Sequence, residues 1–253
     1  LFGKRDSISK RPFFIYYGLG TPEACNRLRH ESLVIVELRQ WKPSDLYSLR
    51  ESGTKIYGYL AIMESPVWNE QRTRLLTDED YMLKDGQRVH FEKWDSFLMD
   101  IRSTSYRRLL LDEWEELQAG WSVDGIFLDT VGDIEEYVSA SQRQEADHAY
   151  RAFLSIAATR FPHLQRIQNR GFAQLENCAS LLDGILWEDW RSDWTRDFYA
   201  TRWINQLRKL MKERNFTVYA ASSTTSPEDR KSAQKLGYLH RQIDPGYQML
   251  PES

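Results

Sequence analysis

Apolar positions along the chain gather into short runs of strand length, and amphipathic stretches of helical length separate them. Phe13 to Tyr17 (FFIYY), Leu33 to Leu38 (LVIVEL) and Lys55 to Ile62 read as three buried strands. Comparable runs cover Gly125 to Val131, Gln165 to Asn169, Gly184 to Trp187, Thr217 to Ala221 and Gly237 to Gln242. Between them the period lengthens. Leu109, Leu110, Trp114 and Leu117 share one face of a helix over 106–118, and further helices are predicted over 141–159, 172–179, 197–213 and 227–236. Thr21-Pro22-Glu23 supplies a cap, a first-turn proline and a first-turn acid for a short helix, and Pro43-Ser44-Asp45 opens another that ends near Ser52. Alternating strand and helix implies parallel pairing through βαβ units. Eight strands in 253 residues predict an α/β fold, a single-domain (β/α)8 TIM barrel over residues 13–253, with 1–12 as a flexible N-terminal arm. Residues 64–100 show no clean period. A stretch that long is either functional or carries short elements of its own.

One phrase occurs twice. Asp124-Gly125-Ile126-Phe127-Leu128-Asp129 is matched by Asp183-Gly184-Ile185-Leu186-Trp187-Glu188: a turn-forming pair, an apolar run and a terminal carboxylate. Side chains alternate along a strand, so Gly125, Phe127 and Asp129 share a face, as do Gly184, Leu186 and Glu188. Parallel strands deliver both acids to the C-terminal edge, where α/β barrels keep their active sites. Asp129 and Glu188 are therefore candidates for an acid/base or nucleophile pair, and glycosidic cleavage needs such a pair. Each alone also fits a helix cap or a partner for a basic side chain.

Other strand ends bring Tyr17, Glu37, Glu64 and Asn169 to the same rim, as substrate contacts or as partners of loop backbone. Trp94, Trp187 and Trp190 are candidate platforms for sugar rings, with Trp187 the one expected to pack under a helix, because it alternates away from Glu188. Arg102 has either a catalytic acid or solvent as its partner. Gly18-Leu19-Gly20 followed by Glu37 imitates a dinucleotide fingerprint, but its third glycine position holds Glu23. Asp129 and Asp133 are spaced for a metal only weakly.

Composition narrows the classes. Nine Trp, thirteen Tyr and eleven Phe exceed what a core of this size needs and suit a groove that stacks on sugars. A net charge of −3 argues against a nucleic-acid binder, which needs a basic field. No apolar run reaches the roughly 20 residues of a membrane span. Cys25 and Cys178 read as two free thiols, with a single long-range disulfide as the alternative. The basic opening LFGKRDSISKRP lacks an apolar signal core and reads as what remains after a leader, anchor or linker has been removed.

Taken together, YYG at 16–18, IYGYLAIME at 56–64, WDSFLMDIRS at 94–103, GIFLDTVGD, RIQNRG and GILWED follow an order that resembles the GH114 and TM1410-like glycosidases. These are (β/α)8 barrels of the endo-α-1,4-polygalactosaminidase type, similar also to the hydrolase domain of the Pel polysaccharide system. The resemblance spans about residues 13 to 244 and is sharpest at the fourth and sixth strands. It implies that Asp129 and Glu188 are the catalytic aspartate and glutamate, that no metal or organic cofactor takes part, and that the substrate is a cationic galactosamine-rich exopolysaccharide. A retaining mechanism with Asp129 as nucleophile, a monomer, and a secreted or cell-surface location are expected with it. The 64–100 stretch has its own composition, which leaves the exact polymer open. Two other readings stand beside this one: a non-catalytic polysaccharide-binding barrel of an export or biofilm assembly, and a nucleotide-binding α/β enzyme.

Overall fold

The computed structural model describes residues 10–252. Eight strands, labelled here β1 (Phe14–Tyr16), β2 (Leu33–Val36), β3 (Lys55–Ala61), β4 (Gly125–Asp129), β5 (Gln165–Asn169), β6 (Gly184–Trp187), β7 (Thr217–Ser222) and β8 (Leu239–Gln242), lie in sequence order in one sheet, every neighbouring pair parallel. The intervening helices are α1 (Pro22–Leu28), α2 (Pro43–Glu51), α3 (Thr104–Trp121), α4 (Ala140–Arg160), α5 (Leu175–Cys178), α6 (Phe198–Glu213) and α7 (Pro227–Lys235). The result is the expected (β/α)8 barrel, nearly closed. Side chains bridge the seam between β8 and β1: the Arg241 guanidinium lies 5.2 Å from the Phe14 ring centre, and buried Glu31 pairs with Arg241 at 3.0 Å and Arg11 at 2.7 Å.

Local chemistry explains the element ends. Thr21 caps α1 by accepting from the Ala24 N–H at 3.1 Å, with Pro22 in the first turn. Asp197 caps α6 in the same way through Ala200 N at 2.7 Å. The repeated Asp-Gly phrase is a repeated device. Asp124 Oδ2 accepts from Ile56 N of β3 at 2.8 Å, and Asp183 Oδ2 accepts from Arg166 N of β5 at 2.8 Å. A Cβ on Gly125 would stand 2.6 Å from the Gln165 carbonyl of β5, and one on Gly184 would stand 2.6 Å from that of Thr217 in β7. Each phrase thus bonds its strand to the one before and seats it against the one after.

The arm expected over 1–12 lies outside the described residues up to position 9. Lys10 and Arg11 are tied down, the lysine by donating to Thr54 Oγ1 at 2.9 Å. Residues 64–100 form a rim insertion. Glu64–Pro66, Ser96–Leu98 and His90–Phe91 make a small antiparallel sheet, and Leu83–Lys84 pairs with Gln87–Arg88 across Asp85-Gly86, both with positive φ. Strands of two or three residues are too short to show a period. Arg72 pins the insertion: its buried guanidinium donates to the Ala61 and Glu64 carbonyls at 3.0 and 2.9 Å and pairs with Glu113 of α3 at 2.7 Å. Cys25 and Cys178 are both free, and among the described residues no helix is long and apolar enough to cross a membrane.

Candidate active site

The C-terminal ends of the strands open into a cavity of about 1220 Å³, floored by Tyr17, Tyr59, Asp129, Asn169 and Glu188. Three adjacent strands supply its centre. Asn169, ending β5, donates from Nδ2 to Asp129 Oδ1 at 2.7 Å and to Glu188 Oε2 at 2.9 Å. Register produces this arrangement: Gln168 lies opposite Leu128 on one side, and Asn169 lies opposite Leu186 on the other. Thr130, Arg170 and Asp189, the residues that directly follow the acid, the amide and the other acid, have φ of 61°, 49° and 53°. Left-handed backbone at a non-glycine residue costs about 1–3 kcal/mol, and such strain concentrates at functional sites. Here it turns the chain sharply off each strand. Thr130 is additionally held by its Oγ1, which accepts from Met63 N at 2.8 Å.

Burial, and after it the charge of Glu188, pushes Asp129 up to about 6, against the opposing hydrogen bonds from Asn169 and the Thr130 N–H. Burial and the nearby negative charges, Asp129 first among them, keep Tyr17 well above the ordinary phenol value, and Tyr59 likewise. A second carboxyl pair stands on the insertion side. Asp133 rises to about 8, through burial first and then the charge of Glu64, and burial raises Glu64 as well. Glu37 rises to about 7, chiefly by burial.

Of the rim residues named from sequence, Tyr17, Glu37, Glu64, Trp94 and Asn169 all line the cavity with the two acids. Trp94 is half exposed on its wall, with Lys93 Nζ 4.4 Å from the ring centre. Trp187 is buried, tilted against Phe172 and edge-on against Trp190, and borders the cavity. Two candidates are corrected. Trp190 has no exposed surface; its indole N–H bonds to the Asp229 carbonyl at 3.0 Å and Ser232 Oγ at 3.1 Å, so it joins β6 to α7 and offers no face to a sugar. Arg102 does not line the cavity, because its guanidinium is taken by Asp100 at 2.7 Å and Glu145 at 3.5 Å. Sequence reasoning missed Tyr59, Tyr247, Trp68, Trp194 and Tyr199, which also line it. Strand alternation from Tyr57 could have found Tyr59. Nothing in the tail around Tyr247 signalled a site.

A TIM barrel with two carboxyl groups bridged by one amide at its C-terminal rim is an arrangement suited to glycoside hydrolysis. Solved structures share the fold. The glycoside hydrolase domain of PelA from Pseudomonas aeruginosa superposes with a TM-score of 0.72 at 21% identity, over 96% of this chain and 98% of that one. Ega3 of Aspergillus fumigatus, solved in complex with galactosamine, gives 0.71 at 11% identity, over 96% and 94%. The α-galactosidase TtGalA from Thermus thermophilus gives 0.54 at 16% identity, over 96% and 60%. At these identities the likeness establishes the barrel. No protein-family model and no curated protein matches the chain.

Proposed function

We propose that this protein is an endo-acting glycoside hydrolase that cleaves α-1,4-linked galactosamine-rich exopolysaccharide, with Asp129 and Glu188 as its catalytic carboxyl pair. The observation that carries the reading is the Asn169 clamp. Two oxygens bonded at 2.7 and 2.9 Å to one nitrogen can be no farther apart than the sum of those lengths. That limit is close to the roughly 5–5.5 Å spacing of retaining pairs and well short of the roughly 6.5–9.5 Å of inverting ones, which supports retention. One acid protonates the leaving oxygen while the other attacks the anomeric carbon. The first acid, now ionised, then activates water to release the sugar.

The cavity's charge supports a cationic polymer. Nine carboxyl side chains line it against one lysine and one arginine. Exposed Trp68 and Trp94 on the insertion line it together with Trp194 and Tyr199, giving aromatic rings along the groove. PelA's domain is a glycoside hydrolase and Ega3 binds galactosamine. The polymer is extracellular material, so the enzyme acts as a secreted or cell-surface protein.

The test is product release from partly deacetylated α-1,4-galactosamine polymer. Shortening of the chains, with the first-formed product retaining the α configuration by NMR, is the expected result. Binding without cleavage would replace the proposal by a polysaccharide-binding barrel, and neither binding nor cleavage would mean a different sugar.

The pair's titration gives a further expected result. Catalysis needs one protonated and one ionised carboxyl, whichever acid takes which role. Burial and the neighbouring Glu188 raise Asp129 to about 6, so its proton is lost near that pH. In the free enzyme kcat/KM should therefore fall about tenfold per unit as pH rises beyond about 6. A flat profile to pH 8 would contradict it.

A further inference from the structure

The segment after β8 does not leave the barrel. Ile243 N donates to the Ser222 carbonyl at 3.0 Å, and the chain then crosses the open seam, where Tyr17 N donates to the Tyr247 carbonyl at 2.7 Å. Farther on, Arg27 donates to the Pro251 carbonyl at 3.0 Å and Arg11 to that of Glu252 at 2.9 Å. This strap brings the Tyr247 ring to 5.1 Å from that of Tyr17 and its hydroxyl onto Glu188 Oε1. Tyr247 has φ 55°, so the crossing holds it in a left-handed conformation that a tyrosine rarely adopts.

We propose that Tyr247 is a positioning residue for Glu188, carried to the active site by the C-terminal strap, and that it fixes that carboxylate for its part in glycosidic cleavage. The inference rests on the function proposed above. With Tyr247 on Oε1 and Asn169 on Oε2, both oxygens of Glu188 have a donor and the side chain is held in one orientation. A phenol that donates to a carboxylate favours its ionised form. The acids that face Glu188 act in the opposite sense. Asp129 and Asp189 bring negative charge, and Tyr17 is a buried phenol that stays protonated. Tyr247 itself is held far above the ordinary phenol value, by burial first and then by the charge of Glu188, so it remains a donor at every working pH. Removing its hydroxyl should leave Oε1 without a donor and Glu188 freer to rotate.

Tyr247→Phe keeps the ring against Tyr17 and the backbone bond, and deletes only the donor. On a cleavable polymer, kcat should fall about 10- to 100-fold with KM within about threefold. The second measurement needs no turnover. In protein labelled with 13C at glutamate side-chain carboxyls, the Glu188 signal, assigned by its loss in Glu188→Gln, should move and broaden in Tyr247→Phe at fixed pH, as one carboxyl oxygen loses its donor. A Glu188 signal that stays in place, with kcat within about threefold of wild type, would overturn the proposal. Should wild type cleave no polymer, the NMR shift would still establish the control of Glu188 by Tyr247 while the glycosidase reading fell. Tyr247→Trp, which keeps a ring but moves the donor, should reproduce the loss; full activity in it would also count against the proposal.

Discussion

Asp129→Asn and Glu188→Gln are each expected to lower kcat by at least about 10²-fold, and by up to about 10⁴-fold, with polymer binding retained. The size is that of an acid/base contribution. Each substitution keeps the shape of the side chain and leaves an oxygen for the Asn169 amide to bond, so the site should not collapse. Nucleophile and acid act in one sequence, so the double variant should be scarcely worse than the more damaged single one. Stability should move the other way. The two carboxyls repel, as the upward push on Asp129 shows, and neutralising either relieves that repulsion. Thermal midpoints at or above that of wild type, together with lost turnover, are the expected pair of observations. A variant that unfolds early, or that keeps a tenth of wild-type turnover, would remove that residue from the catalytic pair.

The largest stability effect is expected from Glu113, a residue outside the cavity. Its carboxylate holds Arg72 at 2.7 Å and Arg39 at 2.9 Å, and Asn69 donates to it at 3.3 Å. Burial works to raise its pKa, but the two guanidiniums outweigh burial and hold it below the usual range. Glu113→Leu leaves the fully buried Arg72 cation with backbone carbonyls and no counter-charge, a loss worth about 3–5 kcal/mol. For a domain of this size that is roughly 10 °C of thermal midpoint. Arg72→Met should cost less, because Glu113 keeps Arg39. The order of the two variants is the discriminating result, and equal losses would mean that the pair is not the anchor. Both should also depress activity, since Arg72 holds the carbonyl of Glu64 and with it the insertion wall of the cavity.

Most of this architecture was legible in the sequence because barrel strands announce themselves. FFIYY, LVIVEL and GIFLD are buried on both sides and read as unbroken apolar runs, and Thr21-Pro22 and Pro43 mark helix starts that the fold uses. The two acids and Asn169 were legible because parallel strands send every terminal residue to one rim. Trp190 was misread because alternation stops where the strand stops: Asp189 turns left-handed and swings the indole back beneath α7. Arg102 found a carboxylate two residues away, a contact that competes with any distant one and leaves no periodic trace. Tyr247 is the clearest omission. Its role depends on where a turn-rich tail lands after crossing the seam, and no local pattern encodes that.

The paired Asp-Gly entries to β4 and β6 carry a consequence for what this molecule can become. Each acid stands four residues beyond a glycine wedged against the next strand, about 13 Å up at the rise of an extended chain. The height and spacing of the carboxyls are therefore set from the floor of the barrel, on the side away from the polymer. The rim insertion and the loops carrying the tryptophans take no part in that measurement. Such a molecule is a gauge with interchangeable jaws: the gripping surfaces can be recut for another chain of sugars while the gap between the two working points stays as the floor has set it.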